Sequence, residues 1–176
     1  MASCLKLKKM KDDILFAERQ RFNQWWLWLL ILGINGVFFW GTFQQVIKGT
    51  PFGDHPMSNT GIVFTSILML SITLLLFNVR LETIIKEEGI YVRFFPFHVK
   101  FKFYSRVTIK KAFIRIHNPL TEYGGYGIRL GIMGKGKAFN VSGNKGLQLV
   151  FEDDTKLLIG TNEPDQLMLV LLKLGY

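Results

Sequence analysis

The sequence predicts an α+β membrane protein. An N-terminal two-helix transmembrane hairpin leads into a partly open antiparallel β-barrel of about seven strands, capped by a C-terminal α-helix. Three observations carry this expectation. Two apolar runs, from Trp25 to about Ile47 and from about Gly61 to Val79, hold no Lys, Arg, Asp or Glu until Lys48 and Arg80 close them. About 20 apolar residues suffice to cross the hydrocarbon core. After Arg80 the apolar period changes from helical to two. Near the end, Leu167, Val170, Leu171 and Leu174 form one helical stripe.

The expected organisation follows: residues 1–23 as a cytoplasmic basic, interfacial segment, 24–47 as the first span, 48–60 as an extracytoplasmic loop, 61–80 as the second span, and 81–176 as a cytoplasmic domain. Residues 1–23 are polar with Ile14, Leu15, Phe16 and Phe22 interspersed, which reads as a short interfacial helix or an extension of the first span. Met10 offers an alternative start to Met1. The first apolar run is longer than a signal core and lacks a small-x-small cleavage site, so it is read as a retained anchor.

The formal charge of +9 is unevenly placed. Residues 1–23 carry six basic and three acidic side chains, and residues 82–176 carry fourteen and nine, whereas the loop between the runs has only Lys48 and Asp54. Basic flanks face the cytoplasm, so the chain is expected in the cytoplasmic membrane with both termini on the cytoplasmic side. An anionic inner leaflet accounts for such charge. No nucleic-acid motif accompanies it, so no nucleic acid is expected as a partner. The one cysteine, Cys4, excludes an intramolecular disulfide.

Within the first run, Trp25, Trp26 and Trp28 mark one interface and Trp40 lies toward the other. Gly33, Asn35, Gly36 and Gly41, with Thr65, Ser66, Ser71 and Thr73 in the second run, suit close helix packing and hydrogen bonding across it. The loop, with Pro51, Gly53, Pro56, Ser58 and Asn59, is turn-rich.

In the domain, 83–87 and 90–95 form a hairpin candidate across Glu88-Gly89. Val99, Phe101 and Phe103 alternate with Lys100 and Lys102 as a half-buried strand, and Ala112, Ile114 and Ile116 alternate with Phe113, Arg115 and His117. Shorter strands are expected at 128–132, 138–142, 147–152 and 156–159, the last two joined by Asp153-Asp154. Thr161 or Asn162 can cap the final helix, with Pro164 in its first turn. Strands in this number followed by one amphipathic helix describe the pleckstrin-homology (PH) superfold.

The segments 87–97 (EEGIYVRFFPF), 122–129 (EYGGYGIR), 134–146 and 158–161 (LIGT) resemble those of a small family of two-span prokaryotic membrane proteins with a bacterial PH-like domain. The resemblance runs from about Phe16 to the end, and its motifs carry no assigned chemistry. It implies a binding module, and a fold alone does not settle function. The turn at Lys86-Glu87-Glu88-Gly89 is short and acidic, unlike the long basic loop of phosphoinositide-binding PH domains, so lipid-headgroup binding of that kind is not carried over.

The segment 131–138 (GIMGKGKA) matches a phosphate-binding loop up to its last position, where Ala138 replaces the Ser or Thr that would hold Mg²⁺. The competing reading is a set of β-turns in which Gly supplies positive φ. Arg129, Lys135, Lys137 and Lys145 are candidates for an anion patch, or for a solvated rim beside an anionic bilayer. Glu122, Tyr123 and Tyr126 are candidates for a protein contact, or for aromatic packing over a barrel end. His55, His98 and His117 are scattered, and no HExxH, GxSxG or CxxC pattern occurs. No catalytic residue, metal or cofactor is therefore expected. The expected role is a membrane-anchored binding or scaffold module that meets a protein partner or a second copy of itself, with recognition of a headgroup or other anion as the alternative.

Overall fold

A computed structural model describes residues 13–22, 24–131 and 134–176. The chain forms two compact units, Asn23–Asn78 and the residues on either side of that segment.

The first unit is helical. Helix α1 (Trp25–Thr42) continues as a π-helical turn to Ile47, and α2 (Asn59–Asn78) returns. Both are long and apolar enough to span a membrane, and only 6% of each apolar window is buried. The sparse polar groups join the two. Asn35 Nδ2 donates to Thr73 Oγ1 at 2.8 Å, and the hydroxyls of Thr42 and Ser66 meet at 2.7 Å. At the loop end, Gln45 Nε2 donates to the Met57 carbonyl and to Asn59 Oδ1. These bonds are the helix–helix glue that the polar residues of the two runs suggest.

The second unit is built on two open sheets, with nine strands among the described residues. The first runs β1 (Ile14–Arg21), β2 (Arg80–Lys86), β3 (Gly89–Phe95), β4 (Lys102–Ser105), each antiparallel to the next. The second has the order β5 (Ile109–Ile116), β8 (Lys145–Phe151), β9 (Lys156–Gly160), β7 (Lys137–Asn140), β6 (Gly127–Leu130). A short helix α3 (Pro119–Tyr123) precedes β6, and α4 (Pro164–Lys173) closes the chain. One hydrophobic core joins the sheets, with Leu81, Val92, Phe94, Phe139, Leu147 and Leu149 at its centre. Leu167, Leu171 and Leu174 bury the stripe of the last helix in that core.

Four expectations are corrected. The expected partly open barrel of about seven antiparallel strands is instead two open sheets with more strands, and β7 runs parallel to β9. Residues 14–21 are a strand, not an interfacial helix, and β1 pairs with β2 from Ile14↔Lys86 to Arg21↔Arg80. The domain therefore does not begin at residue 81, since its first strand lies before the helices in the chain. The inward positions of β1 after Phe16 are Glu18 and Gln20, both buried. Gln20 Nε2 donates to the Gly160 carbonyl at 2.6 Å, while Glu18 accepts from Thr161 Oγ1 at 2.6 Å and from the Asn162 N–H at 2.7 Å. Hydrogen bonds engage the Glu18 carboxylate and the Gln20 amide nitrogen, while Gln20 Oε1 is buried without a partner; β1 thus holds its place without the apolar alternation that marks a strand. Burial nevertheless raises the Glu18 pKa, against the lowering effect of Thr161 and Asn162.

The third correction concerns phase. Val99, Phe101 and Phe103 do not form one buried face. Strand β4 begins at Lys102, its core-facing residue is Tyr104, and Phe103 lies outside against Tyr91 at 4.7 Å between ring centroids. The fourth concerns the cap of α4. Glu163 is the N-cap without a side-chain bond of its own, and Thr161 acts two residues earlier by accepting the Glu163 N–H at 3.1 Å. The expected hairpin forms, with its turn one residue earlier than expected, at Glu87-Glu88, and with Gly89 paired to Lys86. Gly89 there lies against the Tyr104 carbonyl, where a Cβ would collide with it.

Candidate functional site

The outer face of the second sheet carries a dense polar cluster. Alternation along β5 turns Ala112 into the core and sends Arg115 outward. Register places Arg115 beside Gly146 and Phe113 beside Gln148. Above them, Asn118 caps α3 by accepting the Leu120 and Thr121 N–H groups, which sets Glu122 and Tyr123 over the sheet. Arg115 donates through Nε to Gln148 Oε1 at 2.9 Å, through Nη1 to Glu122 Oε2 at 2.9 Å, and through Nη2 to the Tyr123 hydroxyl at 3.0 Å. Lys135 Nζ lies 3.2 Å from the same Glu122 oxygen.

The electrostatics follow from these partners. Burial raises the Glu122 pKa, but the Asn118 N–H, Arg115 and Lys135 outweigh it and hold the carboxyl down at about 2. Burial pushes the Tyr123 hydroxyl up. His117 is buried next to this cluster, and its Nε2 accepts from Asn140 Nδ2 at 2.8 Å. Burial, followed by the charge of Arg115, lowers its pKa, consistent with a neutral ring. A shallow cleft of about 400 Å³ lies here, lined by Phe113, Arg115, Glu122, Lys135, Gln148, Val150 and Lys156. Its charge is three cations to one carboxylate. Arg115 and Lys135 both already face Glu122, so Lys156 is the cation of the cleft best placed to meet a small anion.

The sequence candidates separate in space. Glu122 and Lys135 belong to this cleft. Tyr123 is 3% exposed and packs with Ala138 and Leu158, so the packing alternative describes it and the contact reading does not. Tyr126 stays half-exposed, and its carbonyl accepts from Arg129 Nε at 3.1 Å. Arg129 pairs with Ala138 on the edge strand, and Lys137 pairs with Leu157 at the start of β7. Lys145 starts β8 beside Ile116 at the opposite end of the sheet, so the four basic residues do not form one patch. Arg115, Gln148 and Lys156 were not singled out from sequence. The alternation at 112–117 exposes Arg115, but only the strand order brings Gln148 and Lys156 to it.

The phosphate-loop match gives way to turns. Gly134 and Gly136 have φ of 73° and 80°, and a strand follows where a nucleotide loop needs a helix. A Cβ at Gly136 would collide with the Lys156 backbone. Ile132 and Met133 lie outside the described residues. A second, more apolar cleft of about 580 Å³ opens between β4 and the β8–β9 turn, with Tyr104, Leu130, Phe151 and Leu157 in its wall.

No family model matches the chain, and neither does any curated protein or solved structure. What the fold defines is an α+β protein with two open sheets and two helices apolar enough to span a membrane.

Proposed function

We propose that the chain is an integral protein of the cytoplasmic membrane. Its two apolar helices span the bilayer, and its β unit is a PH-like, non-enzymatic binding module at the cytoplasmic face that scaffolds or assists a membrane complex. The observation that carries this reading is the exposure of the helices. A core helix of a soluble protein is mostly buried, whereas only 6% of each apolar window here is buried, with Leu29, Phe39, Phe64 and Phe77 among the exposed side chains. Water does not favour such a surface and lipid does. The asymmetric charge supports the orientation. Two sheets sharing one core with a C-terminal helix buried against it support the PH-like reading, with the β6–β7 hairpin as an addition.

The cleft at Arg115, Lys135 and Lys156 favours a second reading, recognition of a small anion. Its most organised cation already has Glu122 as counter-ion, which favours the scaffold. The test uses the full chain with Cys4→Ser and single cysteines at Ser58 or Ser142. In intact cells an impermeant thiol reagent should label position 58 and spare 142. Labelling of 142, or of both, would overturn the orientation. Complexes extracted in mild detergent should then keep their composition in a Lys135→Gln/Lys156→Gln variant. Loss of a retained anionic lipid, with no protein partner present in either sample, would favour the anion reading instead.

A further inference from the structure

The ends of three strands lie side by side in the first sheet. Arg21 at the end of β1 pairs with Arg80 at the start of β2, and Arg80 pairs with Phe95 at the end of β3. This is the end at which the chain leaves for α1 and returns from α2. Arg21 is followed by the helix at Trp25, and Arg80 is two residues past Asn78. Consecutive Cα atoms are about 3.8 Å apart, so the Arg80 Cα lies within about 8 Å of the last residue of α2. If the helices span the bilayer, this end of the sheet is held at its surface.

The outer face at that end is basic. Glu82 pairs across the strands with Arg19 on one side and Arg93 on the other. Arg19 Nε lies 3.5 Å from Glu82 Oε1, Arg80 Nε lies 3.1 Å from it, and Arg93 forks onto Oε2. Three guanidinium groups share one carboxylate, and Arg21 adds a fourth positive charge one row nearer the helices. Two of them stack on aromatic rings, Arg80 on Phe95 at 4.5 Å and Arg93 on Phe101 at 4.4 Å.

The segment 96–100 leaves β3 from this same end, and it is built to project two apolar side chains. The His98 N–H donates to the Phe94 carbonyl at 2.7 Å, and the His98 ring turns in against Phe139 at 5.4 Å. Arg93 Nη1 reaches the Val99 carbonyl. With His98 turned inward, its neighbours Phe97 and Val99 point out, at 61% and 72% exposure, and Lys100 follows them.

We propose that this corner of the β unit docks onto the bilayer surface: Phe97 and Val99 enter the interfacial zone while Arg19, Arg21, Arg80, Arg93 and Lys100 meet anionic headgroups. The occupant is lipid rather than a protein, because the corner is held at the bilayer by chain continuity and combines apolar side chains with an excess of Arg. Interfacial segments bind by apolar burial together with attraction to anionic lipid. The inference rests on the membrane-spanning reading and deepens it.

The test places nitroxide labels on the full chain with Cys4→Ser, in nanodiscs of phosphatidylethanolamine and phosphatidylglycerol. Single cysteines replace Phe97, Val99, Thr121 on α3, or Leu70 in α2. Labels at 97 and 99 should lose most of their collisions with a water-soluble nickel chelate relative to 121, and gain collisions with oxygen. In discs of phosphatidylcholine alone part of that protection should be lost. A label at 70 that is dry while 97 and 99 are as wet as 121 would overturn the docking and leave the spanning reading intact. A label at 70 that is also wet would overturn both. Protection at 97 and 99 unaffected by lipid charge would overturn the role given to the arginines. All three labelled positions of the β unit are exposed, so an unchanged melting temperature checks that its fold is preserved.

Discussion

Glu18 offers the sharpest test of how the strand before the helices is held in the β unit. Its carboxylate accepts the Thr161 hydroxyl and the Asn162 N–H, tying β1 to the loop that opens α4. Glu18→Ala removes both acceptors. A buried donor left without a partner costs about 1–3 kcal/mol. The Thr161 hydroxyl is free to rotate, Asn162 is exposed enough to reach water, and removing a desolvated carboxylate returns part of the loss. The net cost is about 1–3 kcal/mol, which lowers the melting temperature by roughly 4–12 °C for a unit of this size. Glu18→Gln keeps an acceptor for Asn162 and a polar group for Thr161, so it should lose little. The pH dependence separates the two further. The folded-state pKa of Glu18 is raised, so wild-type stability falls as pH rises from the unfolded value through the folded one. The Gln variant lacks that decline and should gain on wild type above pH of about 4.5. All four tryptophans lie in the helical unit, so the assay is thermal proteolysis in nanodiscs, followed by mass spectrometry at fragments from 14–21 and 80–176. Equal melting of wild type and Glu18→Ala, or equal losses in the Ala and Gln variants, would refute the reasoning.

Two further predictions concern the same unit. Leu171 is buried in the core, and Leu171→Ala should destabilise the unit by about 2–5 kcal/mol, read in the same proteolysis assay; an unchanged midpoint would mean that α4 does not close the core. Glu122, held at about 2, contributes stability above its unfolded pKa near 4.5 that is lost as pH falls toward 2, with a ceiling of about 3 kcal/mol. Glu122→Gln should flatten that acid limb between pH 4.5 and 2, and an acid limb identical to wild type would show that the Arg115–Glu122–Lys135 cluster does not couple to folding.

The two apolar helices were legible because length and lack of charge are local properties. The β2–β3 hairpin, though not the exact position of its turn at Glu87-Glu88, and the stripe of α4 are legible because their signals lie within a few residues. Strand β1 is hidden in the sequence because two of its three inward residues, Glu18 and Gln20, are polar, and their hydrogen-bond partners lie 140 and 143 positions away. Strand β4 was placed but turned the wrong way. Phe101 and Phe103 cover Arg93 and Tyr91 on the outside, so apolar character there reports surface stacking rather than core. The same difficulty affected the candidate site. Glu122 and Lys135 are legible as candidates, but the cleft they share with Arg115, Gln148 and Lys156 depends on β5 and β8 being neighbours, with β9 next to β8. The parallel pairing of β7 with β9, which separates Lys137 from Lys145, has no local signature at all.

The long sequence separation between β1 and β2 has a consequence for how the chain assembles. Strands β2 and β3 close across a two-residue turn, while Arg21 and Arg80 are 59 positions apart. The entropy cost of closing a loop rises with the logarithm of its length, so β2–β3 is favoured to form first and β1 to join a sheet that already exists. The helices shorten the effective loop. Once Asn35 meets Thr73 and Thr42 meets Ser66, the intervening chain is already folded back on itself. The polar pairs within the helical hairpin thus lower the entropy cost of adding β1. Glu18 and Gln20 then fasten β1 to the strand and loop made last, at Gly160 and Thr161. The β unit is complete only when the first and last parts of the chain have met, which makes β1 the element whose loss exposes the β2 edge and the core residues beneath it.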